Sequence, residues 1–161
     1  MEALLISACL MGFNCKYNGG NNALPEQELE TLKQHYRLIP VCPELAGGLP
    51  TPRVPSERQG ERVITRDGRD VTEAFQKGAE IAAALVKKYH IRRALLKSNS
   101  PSCGSGTVYD GSFSGILIRG DGVTAEYLKQ LDVEISGRVQ DIICMKVDNP
   151  STFLINPCLT T

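Results

Sequence analysis

The apolar positions of this chain come in short blocks separated by stretches of helical period. Ala3-Leu4-Leu5-Ile6-Ser7-Ala8 is a continuous apolar run, the pattern of a strand buried on both faces in a parallel sheet. Gly12 to Asn22 is rich in Gly and Asn without any period and reads as a loop. Pro25 then opens a helix through about His35, with Glu26, Glu28 and Glu30 favourably placed near its start. Tyr36 to Val41 is a second strand, in which Pro40 must sit where no ladder donor is needed. From Pro43 to Gly68, prolines and glycines predict an ordered, non-helical excursion, and loops this long in a compact domain are usually functional. Apolar residues at 71, 74, 75, 78, 81, 82, 85 and 89 keep helical period, and Asp70 with Glu73 resembles a capping box. Arg92 to Lys97 is a third strand. Phe113 to Arg119 reads as a short strand or an extended lid, Gly122 to Leu131 as a helix, and Asp132 to Ile135 as a fourth strand; beyond Ser136 there is no clear period.

Strands alternating with helices predict an α/β fold, a small open parallel sheet flanked by helices with right-handed crossovers. A length of 161 residues is that of a single domain. Formal net charge is zero, so there is no electrostatic footprint for a nucleic-acid polymer or an anionic membrane. The apolar runs fall far short of the roughly 20 residues a bilayer crossing needs. The start, Met1-Glu2-Ala3, lacks the basic flank and cleavage site of a signal peptide, and the expected location is cytoplasmic.

In a reducing compartment the six cysteines, Cys9, Cys15, Cys42, Cys103, Cys144 and Cys158, point to metal or redox chemistry more than to disulfides. Free cysteine is also a common small core hydrophobe, so position has to decide. Cys9, Cys42 and Cys103 each fall just beyond the carboxyl end of a predicted strand, the edge at which open parallel sheets bind ligands. Three thiolates at one rim can hold a zinc ion with an open position, or three irons of a [4Fe-4S] cluster with the fourth iron open. His35 and His90 lie in or at the end of predicted helices, where a structural role is the simpler reading. A disulfide redox pair is a further option, although the chain has no Cys-x-x-Cys. Glu44, two residues from Cys42, is placed to act as general acid and base beside an open metal position. Ser98, Asn99, Ser100 and Ser102 run up to Cys103 and can orient a polar substrate, or simply shape the turn. Arg53 can hold an anion or a substrate carbonyl, or pin its proline-rich loop by pairing with backbone carbonyls, the commoner role.

Several spaced segments carry a family resemblance. Ser7-Ala8-Cys9-Leu10 with Cys15, Tyr17 and Gly19, then Cys42-Pro43-Glu44 with the run Gly47 to Arg53, then Ser98 to Gly104 and the Gly-Val-Thr-Ala around Val123, resemble the DUF523 family in the right order, over roughly residues 3 to 135. The resemblance implies a small Rossmann-like domain. As in the family's thiouracil desulfidases, it also implies removal of sulfur from a small thiolated pyrimidine with a [4Fe-4S] cluster. Carried over by motif, the cluster ligands are Cys9, Cys42 and Cys103, with Glu44 and Ser100 as acid-base and assisting residues. Ser98, Asn99 and Arg53 are candidates for substrate binding. The alternative is a zinc or other metal site on the same three thiols, in a small-molecule hydrolase or a binding domain. Cys15 belongs to the family pattern without an assigned role. The chain departs from the pattern after Ile135, so residues 136–161 are expected to form a C-terminal extension, which carries Cys144 and Cys158.

Overall fold

The structure is a computed structural model that describes residues 1–147. The second cysteine of the extension, Cys158, lies outside the described residues. Four parallel strands form the central sheet: β1 (Ala3–Ser7), β2 (Arg37–Val41), β5 (Arg93–Leu95) and β8 (Glu134–Ser136), in the order β2-β1-β5-β8. Every residue of β1 is buried because it is an inner strand covered on both faces. Leu5 points to one apolar layer, with Ile39, Ala94 and Leu96, and its neighbours Leu4 and Ile6 point to the other, with Leu95 and Tyr36. That two-residue alternation, hydrophobic on both sides, is what the unbroken apolar run encodes. Pro40 is accommodated because β2 is an edge strand of this sheet.

Helix α3 (Thr72–Tyr89) and helix α4 (Val123–Lys129) cover one face, through Ala82, Ala83, Val86, Ala125 and Leu128. Helix α1 (Glu26–His35) and helix α5 (Val139–Val147) cover the other, through Leu32, Val139 and Ile142. Beyond Ile135 the chain thus continues into a helix packed on the sheet. Ile142 is fully buried, its carbonyl accepts the Tyr36 hydroxyl at 3.3 Å, and the Met145 carbonyl accepts Arg93 at 3.1 Å. At the start of α3 the cap differs from the expected box. Asp70 Oδ1 accepts both the backbone N–H of Thr72, at 2.9 Å, and its hydroxyl, at 2.6 Å, while no bond returns from Glu73. Asp70 thus satisfies the helix start through a local turn, as Asp side chains readily do.

The excursion after β2 contains more regular structure than its composition suggests. It begins with a single helical turn, α2 (Pro43–Ala46), and continues into an antiparallel hairpin, β3 (Ser56–Gln59) and β4 (Arg62–Thr65). A second antiparallel hairpin, β6 (Thr107–Tyr109) and β7 (Leu117–Arg119), follows the serine-rich loop and packs beside β3. Ser56 and Glu57 of the first hairpin and Tyr109, Phe113 and Gly115 of the second line a cavity shared with residues from the carboxyl ends of the parallel strands. Among the described residues no helix is long and apolar enough to cross a membrane.

Candidate active site

The chain leaves β1 toward one side of the sheet to form β2 and crosses to the other side to form β5, so a crevice opens at the carboxyl ends between them. A cavity of about 480 Å³ occupies that position, within the range of roughly 300–1,000 Å³ common for small-ligand sites. Cys9 reaches it from the 3-10 turn Ala8–Met11 that follows β1, Cys42 from the residue capping α2 after β2, and Cys103 from the loop after β5. All three thiols predicted from the strand ends therefore line one wall system. Glu44, Arg53, Ser98, Asn99 and Ser100 line it as well.

The loop Ser98–Gly104 is held from behind by close backbone approach. A Cβ on Gly122 would stand 2.5 Å from the Ser102 carbonyl carbon and oxygen, so only glycine lets the start of α4 pack there. The Ser102 carbonyl in turn accepts the N–H groups of Thr124 and Ala125, at 2.9 and 3.1 Å, serving as the cap of α4. On the cavity side, Ser100 Oγ accepts the backbone N–H groups of Ser102, at 3.2 Å, and Cys103, at 3.1 Å. Ser100 Oγ lies 3.0 Å from Ser102 Oγ, and Ser102 Oγ donates to Glu44 Oε2 at 2.9 Å. Glu44 thus reaches the serine loop through Ser102, not directly through Ser100. Sequence patterning placed Ser102 among the loop serines, and nothing in its spacing distinguishes the bridging serine from its neighbours.

Arg53 is 8% exposed at its side chain and ties together three parts of the site. It donates to Glu44 Oε1 at 3.1 Å, to the Cys15 carbonyl at 2.9 Å, and to Thr51 Oγ1 and the Pro50 carbonyl at 3.0 and 3.3 Å. It faces the cavity and pins its own loop at the same time. Asn99, held at a positive φ of 64°, directs its Oδ1 to the Thr107 hydroxyl at 2.9 Å.

Burial sets the electrostatics of the thiols. Burial pushes the Cys103 thiol up to about 12, against the hydrogen bond from Ser7 that favours the thiolate. Cys9 is also raised by burial, with Asn22 and Lys97 opposing and Cys42 adding to the rise. Cys15 is buried beside the set and is pushed up to about 12, first by burial and then by Cys42 and Cys9. A fourth thiol therefore adjoins the three. Neither His35 nor His90 lines the cavity.

Among the described residues no three His, Cys, Asp or Glu side chains are drawn to a single point in the way one metal ion requires. A four-iron cluster makes a different demand, since each thiolate binds its own iron, and an all-thiol set on the walls of one cavity fits that group.

The sequence profile of the 2-thiouracil desulfurase family matches residues 4–138. The chain belongs to this family. The uncharacterized protein YbbK of Bacillus subtilis (strain 168) is 42% identical over 137 residues, covering 79% of this chain and 89% of YbbK. The solved structure of the [4Fe-4S]-dependent thiouracil desulfidase TudS (DUF523Vcz) is similar with a TM-score of 0.80 and 45% identity, over 84% of this chain and 89% of TudS. The α/β sheet expected from the apolar pattern and the family expected from the cysteine motifs thus agree with the desulfurase fold, and α5 begins where the matched segment ends.

Proposed function

We infer that this protein is a [4Fe-4S]-dependent desulfidase that replaces the sulfur of a small thiolated pyrimidine by oxygen. Water is the second reactant, so a thiocarbonyl and water become a carbonyl and hydrogen sulfide with no net oxidation or reduction. One observation carries the reading: three thiols from three strand ends share a cavity with a carboxylate bonded into the adjoining serine loop, in a chain of the desulfurase family. Cys9, Cys42 and Cys103 would hold the cluster. Held by three thiolates, such a cluster leaves one iron open, which supplies a Lewis acid for a thiocarbonyl sulfur.

The chain's own groups handle the protons. Glu44 Oε1 is fixed by Arg53, so Oε2, shared with Ser102, is the atom through which a proton arrives or leaves. Ser100 Oγ already accepts two N–H groups, and by donor counting its own hydrogen points to Ser102 Oγ, whose hydrogen points to Glu44. With both lone pairs of Ser100 taken, the proton carrier is Glu44 Oε2, which takes a proton from water in the cavity and returns it to the departing sulfur or the ring while the two serines hold its orientation. Ser98 and Asn99 bound the substrate side of the cavity.

The chemistry is assigned to residues 1–135, with residues 136–147 contributing packing. Cys9, Cys42 and Cys103 are free thiols, as cluster ligation requires. A net charge of zero supports a small molecule as the partner over a nucleic-acid polymer or a membrane.

The test is anaerobic purification with iron and sulfide analysis, an absorbance spectrum, and an assay of sulfide release from 2- and 4-thiouracil. The reading expects a brown protein whose colour and activity disappear together in Cys9→Ala, Cys42→Ala and Cys103→Ala. An iron-free protein that still desulfurises would refute it, as would a stoichiometric zinc protein without visible absorbance.

A further inference from the structure

Two carboxylates line the cavity, and their oxygens are used differently. Glu44 is engaged on both, by Arg53 and by Ser102. Glu57, on β3, is 8% exposed and spends Oε1 on two backbone donors, the N–H groups of Gly111 at 3.0 Å and Phe113 at 3.1 Å. Those are its hydrogen bonds among the described residues, and Oε2 takes none there. Oε2 is not sealed in the protein but is open at the cavity wall, where a ligand donor can reach it.

The donors on Oε1 belong to the tip of the β6–β7 hairpin, which contributes Tyr109, Phe113 and Gly115 to the cavity wall. That tip is seated firmly on β3. A Cβ on Gly111 would stand 2.6 Å from Gln59 Cγ and 3.0 Å from the Arg58 carbonyl, and Gln59 donates to the Gly111 carbonyl at 2.9 Å. Phe113 is held at a positive φ of 58° with the Arg66 guanidinium 5.5 Å from its ring centre. Glu57 is therefore fixed in direction by the same contacts that bring aromatic rings over the cavity.

We propose that Glu57 binds the substrate: its Oε2 accepts a hydrogen bond from a ring N–H of the thiolated pyrimidine, while its Oε1 keeps the β6–β7 flap over the same ring. The assignment rests on the function proposed above and names the group that reads the ring. A thiopyrimidine presents C=S and C=O acceptors and N–H donors on a flat ring. Hydroxyls and Arg53 can meet the acceptors, but a ring N–H needs an acceptor of its own. Both Glu44 oxygens are engaged, and Asn99 Oδ1 receives the Thr107 hydroxyl. Glu57 Oε2 is the carboxylate oxygen left to receive it.

The test uses cluster-loaded wild type and Glu57→Gln with thiouracil and its 1-methyl and 3-methyl derivatives. kcat and KM are measured for each, together with the Kd of the product uracil by equilibrium dialysis. The Gln side chain oxygen can still accept from Gly111 and Phe113, so the flap, the iron content and the melting temperature are expected to hold. kcat/KM and uracil binding should weaken roughly ten- to a hundredfold, chiefly through KM. For the methyl derivative that lacks the contacted N–H, the substitution should add less than about threefold. Glu57→Gln within about twofold of wild type on all substrates would overturn the assignment, and so would an equal loss on both methyl derivatives. If the variant does not fold, the wild type alone decides: binding both methyl derivatives as tightly as thiouracil overturns the assignment. A cluster-loaded wild type that releases sulfur from no thiopyrimidine overturns the proposed function and this assignment with it. An active wild type matched by Glu57→Gln overturns the role of Glu57 alone.

Discussion

Gly78→Ala tests how the fold holds Cys42 and Glu44 still. Gly78 lies inside α3, where alanine is ordinarily the better helix former by about 1 kcal/mol. Here the added Cβ would fall 1.9 Å from the Pro43 carbonyl oxygen and 2.7 Å from its carbon. An unstrained contact needs ~3.5 Å, so the two helices must part by roughly 1 Å or more. Gly47 makes the reciprocal approach, with a Cβ that would sit 1.9 Å from the Ala74 carbonyl. Helix α3 has 18 residues packed on the sheet and on α4, whereas α2 is one turn, so α2 is the element that yields. Overpacking costs about 1–3 kcal/mol, and the propensity gain offsets about 1, leaving a net loss of about 0–2 kcal/mol. Function should suffer more, because Pro43 lies between Cys42 and Glu44 and a shift of about 1 Å in a reacting group can cost on the order of 100-fold. Urea denaturation, iron content and kcat/KM measured on one preparation separate the two effects. A variant with kcat/KM within about threefold of wild type would refute the idea that this approach positions the pair.

Ser102→Ala removes the hydroxyl that orients Glu44 Oε2 and links it to Ser100, and kcat should fall roughly ten- to a hundredfold with iron content and KM little changed; a variant with unaltered kcat excludes Ser102 from positioning Glu44. Asp70 is exposed and held down to about 2 by the Thr72 hydroxyl and backbone N–H and by Arg62. Because its folded value is depressed, its stabilising contribution is complete above the ordinary carboxylate range near 4 and is lost as the pH falls toward 2. Asp70→Asn should therefore lower the melting temperature at pH 7, with the gap to wild type closing between about pH 4 and 2. Cys103 has the opposite sign: its thiol is raised from 9.0 to about 12 by burial, so its contribution to the metal-free fold is present below about 9 and is lost as the pH rises toward 12. Cluster assembly must strip that proton, so anaerobic reconstitution should release protons and proceed further at about pH 8.5 than at about pH 6, which a pH-indicator titration measures.

The sheet was legible because its strands are written as runs of apolar residues whose alternate members face two helical layers, a pattern that survives without any knowledge of neighbours. The three cysteines were legible for the same reason: strand ends are visible in the pattern, and parallel topology brings strand ends together. The single helical turn α2 and the first hairpin were not. Proline and glycine mark an irregular path but do not say that Pro43 opens a helix turn, where its missing N–H is harmless, or that Ser56–Gln59 finds a partner strand. Helix α5 was hidden because its buried positions, Val139 and Ile142, are too few to establish a period over nine residues. Glu57 carried no local signal, since its importance comes from donors more than fifty residues away in the chain.

The two halves of the site are built with different rigidity. The thiol side hangs from β1, β2 and β5, inside a sheet covered on both faces, and the serine loop is locked between Gly122 and the cap of α4. Thiols that would hold a cluster tolerate little displacement, and the inner strand β1 beside them is buried along its whole length. The other side is a two-stranded hairpin whose outer strand β7 is exposed along its length and whose tip is tied to the body by one carboxylate, one glutamine and a ring under a guanidinium. Two-stranded hairpins are marginal by themselves, so that tie decides whether the cavity is covered. Placing the tie on Glu57 makes one residue answer to two partners: Oε1 to the flap and Oε2 to the ligand. A ring N–H in the cavity would complete the bonding of Glu57 and strengthen its hold on the flap, so that closure over the ring and recognition of the ring become one event, while the thiols behind it stay where the sheet has put them.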